Sequence, residues 1–297
     1  MPTVFGIFFG RQLNEGDSTA KILFMEREKT KEPSGIGLPL EQWLELSRSC
    51  TSPRDVLEGR VAPFPPLELM RNVSGLTDPA DFASHGVDIL RALAKAGPIP
   101  FVEYQNILDF GCGCGRLARM FKAFPHRYIG CDVDRRHVAW INENLDFVKA
   151  VLTEPRMPLP FEPNEFDCVI SISVFTHISE GDHRSYLREL HRITKPGARL
   201  FITVHGQRAL DRAQNEKMIF DLLSVPRSGI DKAALELGGG GYCFIRQNGH
   251  LTSENYEYGI TFISDGYIRK TWSSFFAIEK IEYGGIHDFQ DIVVMRR

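Results

Sequence analysis

The chain is expected to fold as a doubly wound α/β domain: a mostly parallel seven-stranded sheet with an antiparallel edge strand, behind an N-terminal extension. Three observations predict this. Short apolar runs alternate with amphipathic stretches from about residue 105 to 206. One of those runs ends in the glycine-rich turn Asp109-Phe110-Gly111-Cys112-Gly113-Cys114-Gly115. Two further apolar runs, joined by Gly284-Gly285, close the chain.

The first hundred residues show no such alternation. Residues 4–9 are apolar, with no basic region before them and no small-residue cleavage site after, and read as a strand. Residues 21–25 are apolar too, followed by a charged stretch over 26–32. Pro63, Pro65 and Pro66 suit an extended connector. Asp78-Pro79 then opens a helix whose apolar positions, among them Val87, Leu90 and Ala94, recur at helical spacing up to a stop at Gly97.

Strands are expected at residues 106–110, 128–131, 147–152, 168–172 and 199–204. Helices are expected at 117–124, from Asp134 as cap through residue 142, and over 182–195 with Gly197 as the stop. In the tail, 208–223 and 230–237 read as helical, and four glycines over 238–241 as a mobile loop. Residues 276–283 and 291–295 complete the sheet as its antiparallel edge. The chain therefore divides into an extension or cap over 1–100 and a cofactor domain over 101–297, with a mobile insertion at about 207–262.

Composition narrows the function. Across 297 residues, 43% hydrophobic and 25% charged content suits a globular chain with a buried core. A net charge of -3 offers no cationic field for nucleic acid, and no apolar run is long enough to span a bilayer. The six cysteines have no secretory context, so reduced thiols and a cytoplasmic location are expected. Cys112 and Cys114 are one residue apart with no second pair, which does not make a metal site.

The glycine turn carries the chemistry. Where a strand turns into a helix, glycines let backbone N–H groups approach a ligand closely. Gly113 to Ala118 also satisfies the dinucleotide fingerprint, so a nicotinamide-dependent oxidoreductase stays open as an alternative. Asp109, however, would face a negatively charged pyrophosphate there. A carboxylate at that place suits a ligand with an ammonium group and no phosphate, which describes S-adenosylmethionine. Asp132, at the tip of the second strand, offers a bidentate acceptor for two ribose hydroxyls.

With the turn DFGCGCGR, the acid in GCDVD, LPF followed by FDCVIS, and KPGARLFIT, the chain resembles the class I S-adenosylmethionine-dependent methyltransferases. The match covers about residues 105 to 206, and Gln290 to Val294 resemble the closing strand. SVFTHI, Tyr186 to Leu190 and Thr203 to Gly206 resemble a bacterial branch acting on small molecules, whose substrates are mostly unassigned. The resemblance implies that Asp109, Phe110, Gly111, Cys112 and Gly113 face the methionine end of the cofactor. It places the ribose on Asp132, the adenine against Val133 and near Thr153, and Ser173 beside the methionine. Many relatives carry an acid for the adenine amino group where this chain has Thr153-Glu154-Pro155.

The place after the fourth strand holds Ser171-Ile172-Ser173-Val174, without the Asn/Asp-Pro-Pro-aromatic tetrapeptide of nucleobase amino methylation. No Pro-Cys nucleophile follows either, and Cys168 lies inside a strand. The expected acceptor is a small molecule or a sugar or lipid-linked precursor, methylated at oxygen, with no nucleic acid, no membrane span and no metal. A hydroxyl acceptor needs a base. His177 and His205 are the candidates, because both follow the C-terminal ends of sheet strands, where such folds bind ligands. Phe175 and Tyr258 complete the expected substrate side, with His250 and Tyr256 nearby in the tail. His183 and His191 fall on a helix and are read as surface residues. A monomer or homodimer is expected, and a non-catalytic S-adenosylmethionine-binding protein is the second alternative.

Overall fold

The structure, a computed structural model, describes residues 37–122, 124–155, 158–247 and 257–297. The stretches expected at 4–9 and 21–25 lie outside them.

Seven strands form one sheet: β1 (Asn106–Phe110), β2 (Arg127–Asp132), β3 (Val148–Leu152), β4 (Phe166–Ser171), β5 (Thr194–Val204), β8 (Ala277–Ile286) and β9 (Gln290–Arg296). Their order is β3-β2-β1-β4-β5-β9-β8. The first five run parallel, while β9 is antiparallel to both β5 and β8. The order reverses beside β1, and the crevice above that switch point is where such sheets bind ligands.

Helices cover both faces. Before β1 come α1 (Leu40–Ser49), α2 (Pro53–Leu57), α3 (Leu67–Ser74) and α4 (Pro79–Ala96). The Asp78 side chain caps α4 by accepting from the Ala80 and Asp81 N–H groups. α4 buries Phe82, Val87, Leu90 and Leu93, and one core joins these to Ile107, Cys168, Phe201 and Ile292 of the sheet. α5 (Arg135–Asn144), capped by Asp134, packs on the same face. α6 (Glu180–Ile193) covers the other, with Leu187, Leu190 and Ile193 against Leu108, Val169 and Ile202. No helix among the described residues is long and apolar enough to cross a membrane.

Several expected elements differ. In place of a helix over 117–124, the chain makes a turn and a short 3-10 segment, Ala118–Phe121. The N-terminal segment is the cause. Trp43 Nε1 donates to the Met120 carbonyl at 2.7 Å, and the buried Arg119 donates to the Ala62 and Pro63 carbonyls. Gly86 inside α4 makes room, since a Cβ there would lie 2.9 Å from the Arg116 carbonyl oxygen.

α6 ends at Ile193 and β5 begins at the next residue, so Gly197 lies within β5 and does not stop the helix. Residues 208–223 split into α7 (Gln207–Asn215) and α8 (Lys217–Leu223), followed by α9 (Arg227–Gly238). The glycine run is not a loose loop: the N–H groups of Gly239, Gly240 and Gly241 bond the Leu235, Leu237 and Glu236 carbonyls and close α9. Gly284 and Gly285 lie inside β8, and the hairpin turns three positions later at His287 and Asp288, both with positive φ.

The sequence pattern also misses a two-stranded antiparallel ribbon, β6 (Tyr242–Arg246) with β7 (Gly259–Ile263). It shares a core with α7, α8 and α9 through Leu210, Ile219, Ile230 and Phe262. The Gly259 and Thr261 N–H groups bond the His177 and Thr176 carbonyls, so β7 runs alongside the segment that follows β4. α10 (Asp265–Thr271) then leads back into the sheet.

Candidate functional site

A cavity of about 240 Å³ opens above the C-terminal ends of β1, β2 and β4. Its floor is the glycine turn. Gly111 and Gly113 have φ of +79° and +52°, where an L side chain is strained. A Cβ on Gly111 would also meet Val174 Cγ2 at 2.2 Å, and one on Gly113 would meet the Val73 methyls at 2.9 Å. The absent side chains therefore let the post-β4 segment and α3 close on the turn. Cys112 packs its sulfur on Gly130, and burial pushes the Cys112 and Cys114 thiols up, the latter to about 12. These are packing residues, not nucleophiles.

Asp109 is 2% exposed and lines the cavity. Burial pushes its carboxyl up to about 7, assisted by the Asp132 charge and opposed by a hydrogen bond from Tyr128 and by Arg116. That bond, Tyr128 OH to Asp109 Oδ2, is 2.8 Å long. A carboxyl in this setting gains from a cationic partner.

Asp132 is held from two sides. The Gly113 N–H donates to Oδ2 and the Asp134 N–H to Oδ1, both at 2.8 Å. Each oxygen keeps a lone pair for a further donor, which fits a pair of vicinal hydroxyls. His137 of α5 stands 3.5 Å from Asp132 Oδ1 and is 7% exposed. Among the described residues neither of its ring nitrogens makes a hydrogen bond. It lines the cavity with Val133 and Thr153, while Tyr186 donates to the Pro155 carbonyl at 2.6 Å and walls that end. Sequence reasoning missed His137; its place one turn into α5, on the same face as Asp134, was the available signal.

On the opposite wall, Ser173 takes a φ of +61°. Its N–H donates to Thr203 Oγ1 and its hydroxyl receives Gln290 Nε2, both at 2.8 Å. Left-handed backbone outside glycine persists only when its surroundings hold it, and such residues cluster at ligand sites. His177 faces the cavity with its Nδ1 2.7 Å from the Gly259 carbonyl oxygen. A carbonyl accepts only, so Nδ1 carries the proton and Nε2 is the acceptor nitrogen. The Tyr258 ring stacks on His177 at 4.7 Å and 6°, and also lines the cavity.

Asp109, Phe110, Gly111, Cys112 and Gly113 of the turn, with Asp132, Val133, Thr153, Ser173, His177 and Tyr258, thus share one cavity, whereas Phe175 and His205 do not line it. Phe175 is fully buried against Trp272 and His183. His205 is fully buried behind His177, 6.4 Å between ring centres, and burial pushes its pKa down to about 3. His183 is not a surface residue: it is fully buried, its Nε2 bonded to the Phe175 carbonyl at 2.8 Å. His191 is half-buried against Phe276. His250 and Tyr256 lie outside the described residues. Among the described residues no cluster of His, Cys, Asp or Glu could hold a metal ion.

Residues 108–202 match the methyltransferase domain family. Over 99 residues, 33% of this chain, the sequence is 33% identical to a tRNA (carboxymethyluridine(34)-5-O)-methyltransferase of Arabidopsis thaliana. The aligned part is 23% of that enzyme's length. Among solved structures the chain is similar to a protein of Pyrococcus horikoshii, with TM-score 0.51 and 15% identity over 73% of this chain and 91% of that one. It is also similar to an S-adenosylmethionine-dependent methyltransferase from Mesorhizobium loti, with TM-score 0.48 and 15% identity over 72% and 98%. The Pyrococcus structure shares the Rossmann-like fold described above. The matched domain implies S-adenosylmethionine as cofactor. The donor set fits it: a buried acid suits an ammonium, and a backbone-held acid suits a diol.

Proposed function

We propose that the chain transfers a methyl group from S-adenosylmethionine to an oxygen of a small molecule or of a sugar or lipid-linked precursor. The observation that supports this most is the tautomer of His177, whose Nδ1–H is tied to the Gly259 carbonyl while the ring lines the cavity. Bound S-adenosylmethionine supplies an electrophilic methyl group. A hydroxyl must lose its proton as it attacks, and His177 Nε2 accepts that proton. Asp109 pairs with the ammonium beside Phe110, Gly111, Cys112 and Gly113. Asp132 holds the ribose, with Val133, Thr153 and His137 around the base, and Ser173 borders the methionine. Positioning and the exclusion of water supply the rest of the rate.

Tyr258 forms the acceptor side by stacking on His177. Phe175 and His205 support that side from behind. Asn72 and Val73 of α3 also line the cavity, which supports a role for the first hundred residues in shaping the acceptor space. The small-molecule branch suggested by SVFTHI belongs to the same reading, with the protein acting in the cytoplasm as a monomer or homodimer. A second reading, methylation of a tRNA nucleoside at oxygen, is favoured by the Arabidopsis relative and opposed by the net charge of -3.

A transfer assay with methyl-labelled S-adenosylmethionine tests the proposal, offering hydroxylated small molecules and sugar nucleotides in one arm and total tRNA in the other. Label in the first arm is expected. Label in tRNA alone would establish the second reading, and tight cofactor binding without any transfer would leave only a binding protein.

A further inference from the structure

We infer that Arg116 is the carboxylate anchor of the cofactor site, so that the chain selects a ligand with an intact amino-acid end. The inference rests on the S-adenosylmethionine reading above. Arg116 directly follows the glycine turn, is half-buried and lines the cavity. Among the described residues its guanidinium makes no ion pair and no hydrogen bond. Its neighbours differ: Arg119 is bonded to two carbonyls, and Arg136, also on the cavity, pairs with Asp134 and Glu68.

A half-buried guanidinium without an acceptor has lost hydration and gained nothing in return. Burial pushes its pKa below the ordinary value, against the pull of Cys114 and Asp109. Arg116 in turn draws the Asp109 carboxyl down against the upward push of burial. Asp109 and Arg116 thus carry opposite charges on the lining of one cavity, with Asp132 also acting on Asp109.

That pairing matches one ligand fragment. An α-amino acid carries an ammonium and a carboxylate on the same carbon, so an acid and a guanidinium lining the same cavity can bind both. The planar fork of arginine suits a carboxylate bidentately. Adenosine offers no anion that would use Arg116, and the ribose is met by an acid. An anionic acceptor is the competing occupant, but Arg116 directly follows the glycine turn and is coupled to Asp109 and Cys114 of that turn, with His85 of α4 the other group it acts on.

Calorimetric titration of S-adenosylmethionine and of its decarboxylated analogue, with wild type, Arg116→Gln and Arg116→Lys, tests the assignment. Wild type should bind the decarboxylated form roughly tenfold to a hundredfold more weakly. Arg116→Gln should lose a similar factor toward S-adenosylmethionine and bind the two ligands almost equally. Arg116→Lys, with the charge but not the fork, should keep part of the preference, and thermal melts should show all three folded. Undiminished preference in Arg116→Gln would overturn the assignment, as would wild-type affinity for S-adenosylmethionine in that variant. If wild type binds the decarboxylated form as tightly, Arg116 alone is misassigned; if it binds neither, the cofactor reading fails first.

Discussion

The two walls of the cavity are built differently. On the cofactor side, backbone groups fix the chemistry: the Gly113 and Asp134 N–H groups set the Asp132 carboxylate, and the Cys131 carbonyl binds the Gly111 and Cys112 N–H groups. All of these residues lie within a span of 24 positions, on two adjacent strands and the turns that follow them. On the other side, side chains and distant segments do the fixing. His177 takes its tautomer from Gly259, 82 positions later, and Ser173 is held by Gln290, 117 positions later. One wall is thus set by local chain geometry, and the other by how the insertion and the closing strand pack. In the proposed reading, methyl-donor recognition rests mainly on the first wall, with Ser173 added from the second, and acceptor recognition rests on the second.

The largest effect should separate the walls. His177→Gln is expected to lower turnover by roughly a hundredfold to ten-thousandfold, the usual worth of a general base, while S-adenosylmethionine affinity stays within about twofold. Steady-state kinetics and calorimetry on the same preparation measure both. Lost cofactor affinity with unchanged turnover would break the division.

A smaller effect sharpens the cofactor wall. The Asp109 carboxyl is pushed up to about 7 by burial, and only its ionised form pairs with an ammonium. Binding is therefore fully supported above that pH and lost as the pH falls through it. The apparent affinity follows the ionised fraction, a drop of roughly tenfold from pH 7 to pH 5.5. Titrations should stay below about pH 7.5, where the ligand's own α-amino group remains protonated. Asp109→Asn should bind more weakly with a flatter profile; a flat profile in wild type would refute the pairing.

The same contrast explains what the sequence revealed. β1, β2 and the caps Asp78 and Asp134 are written locally, in apolar runs and in the residue types that close a helix start. The glycine turn and Asp132 follow from those strands, so their meeting at one cavity could be read. The 3-10 segment after the turn could not, because Trp43 and Arg119 reshape it through contacts with the N-terminal segment. His183 looked like a surface residue on an amphipathic helix, yet its partner is a carbonyl in the loop after β4. The β6–β7 ribbon escaped notice because β7 earns its place by running beside residues 176 and 177, a long-range pairing. Arg116 and His137 carry no motif of their own; only the fold brings them to the cavity.

The central claim is that Asp132 holds the ribose of S-adenosylmethionine at the tip of β2. Calorimetric titration of wild type and Asp132→Ala with S-adenosylmethionine, and in parallel with NADH, tests it most directly. Wild type should bind S-adenosylmethionine and not NADH, and the variant should lose about 2 kcal/mol, the worth of hydrogen bonds to a charged group. Binding of NADH alone, or an Asp132→Ala affinity equal to that of wild type, would contradict the account.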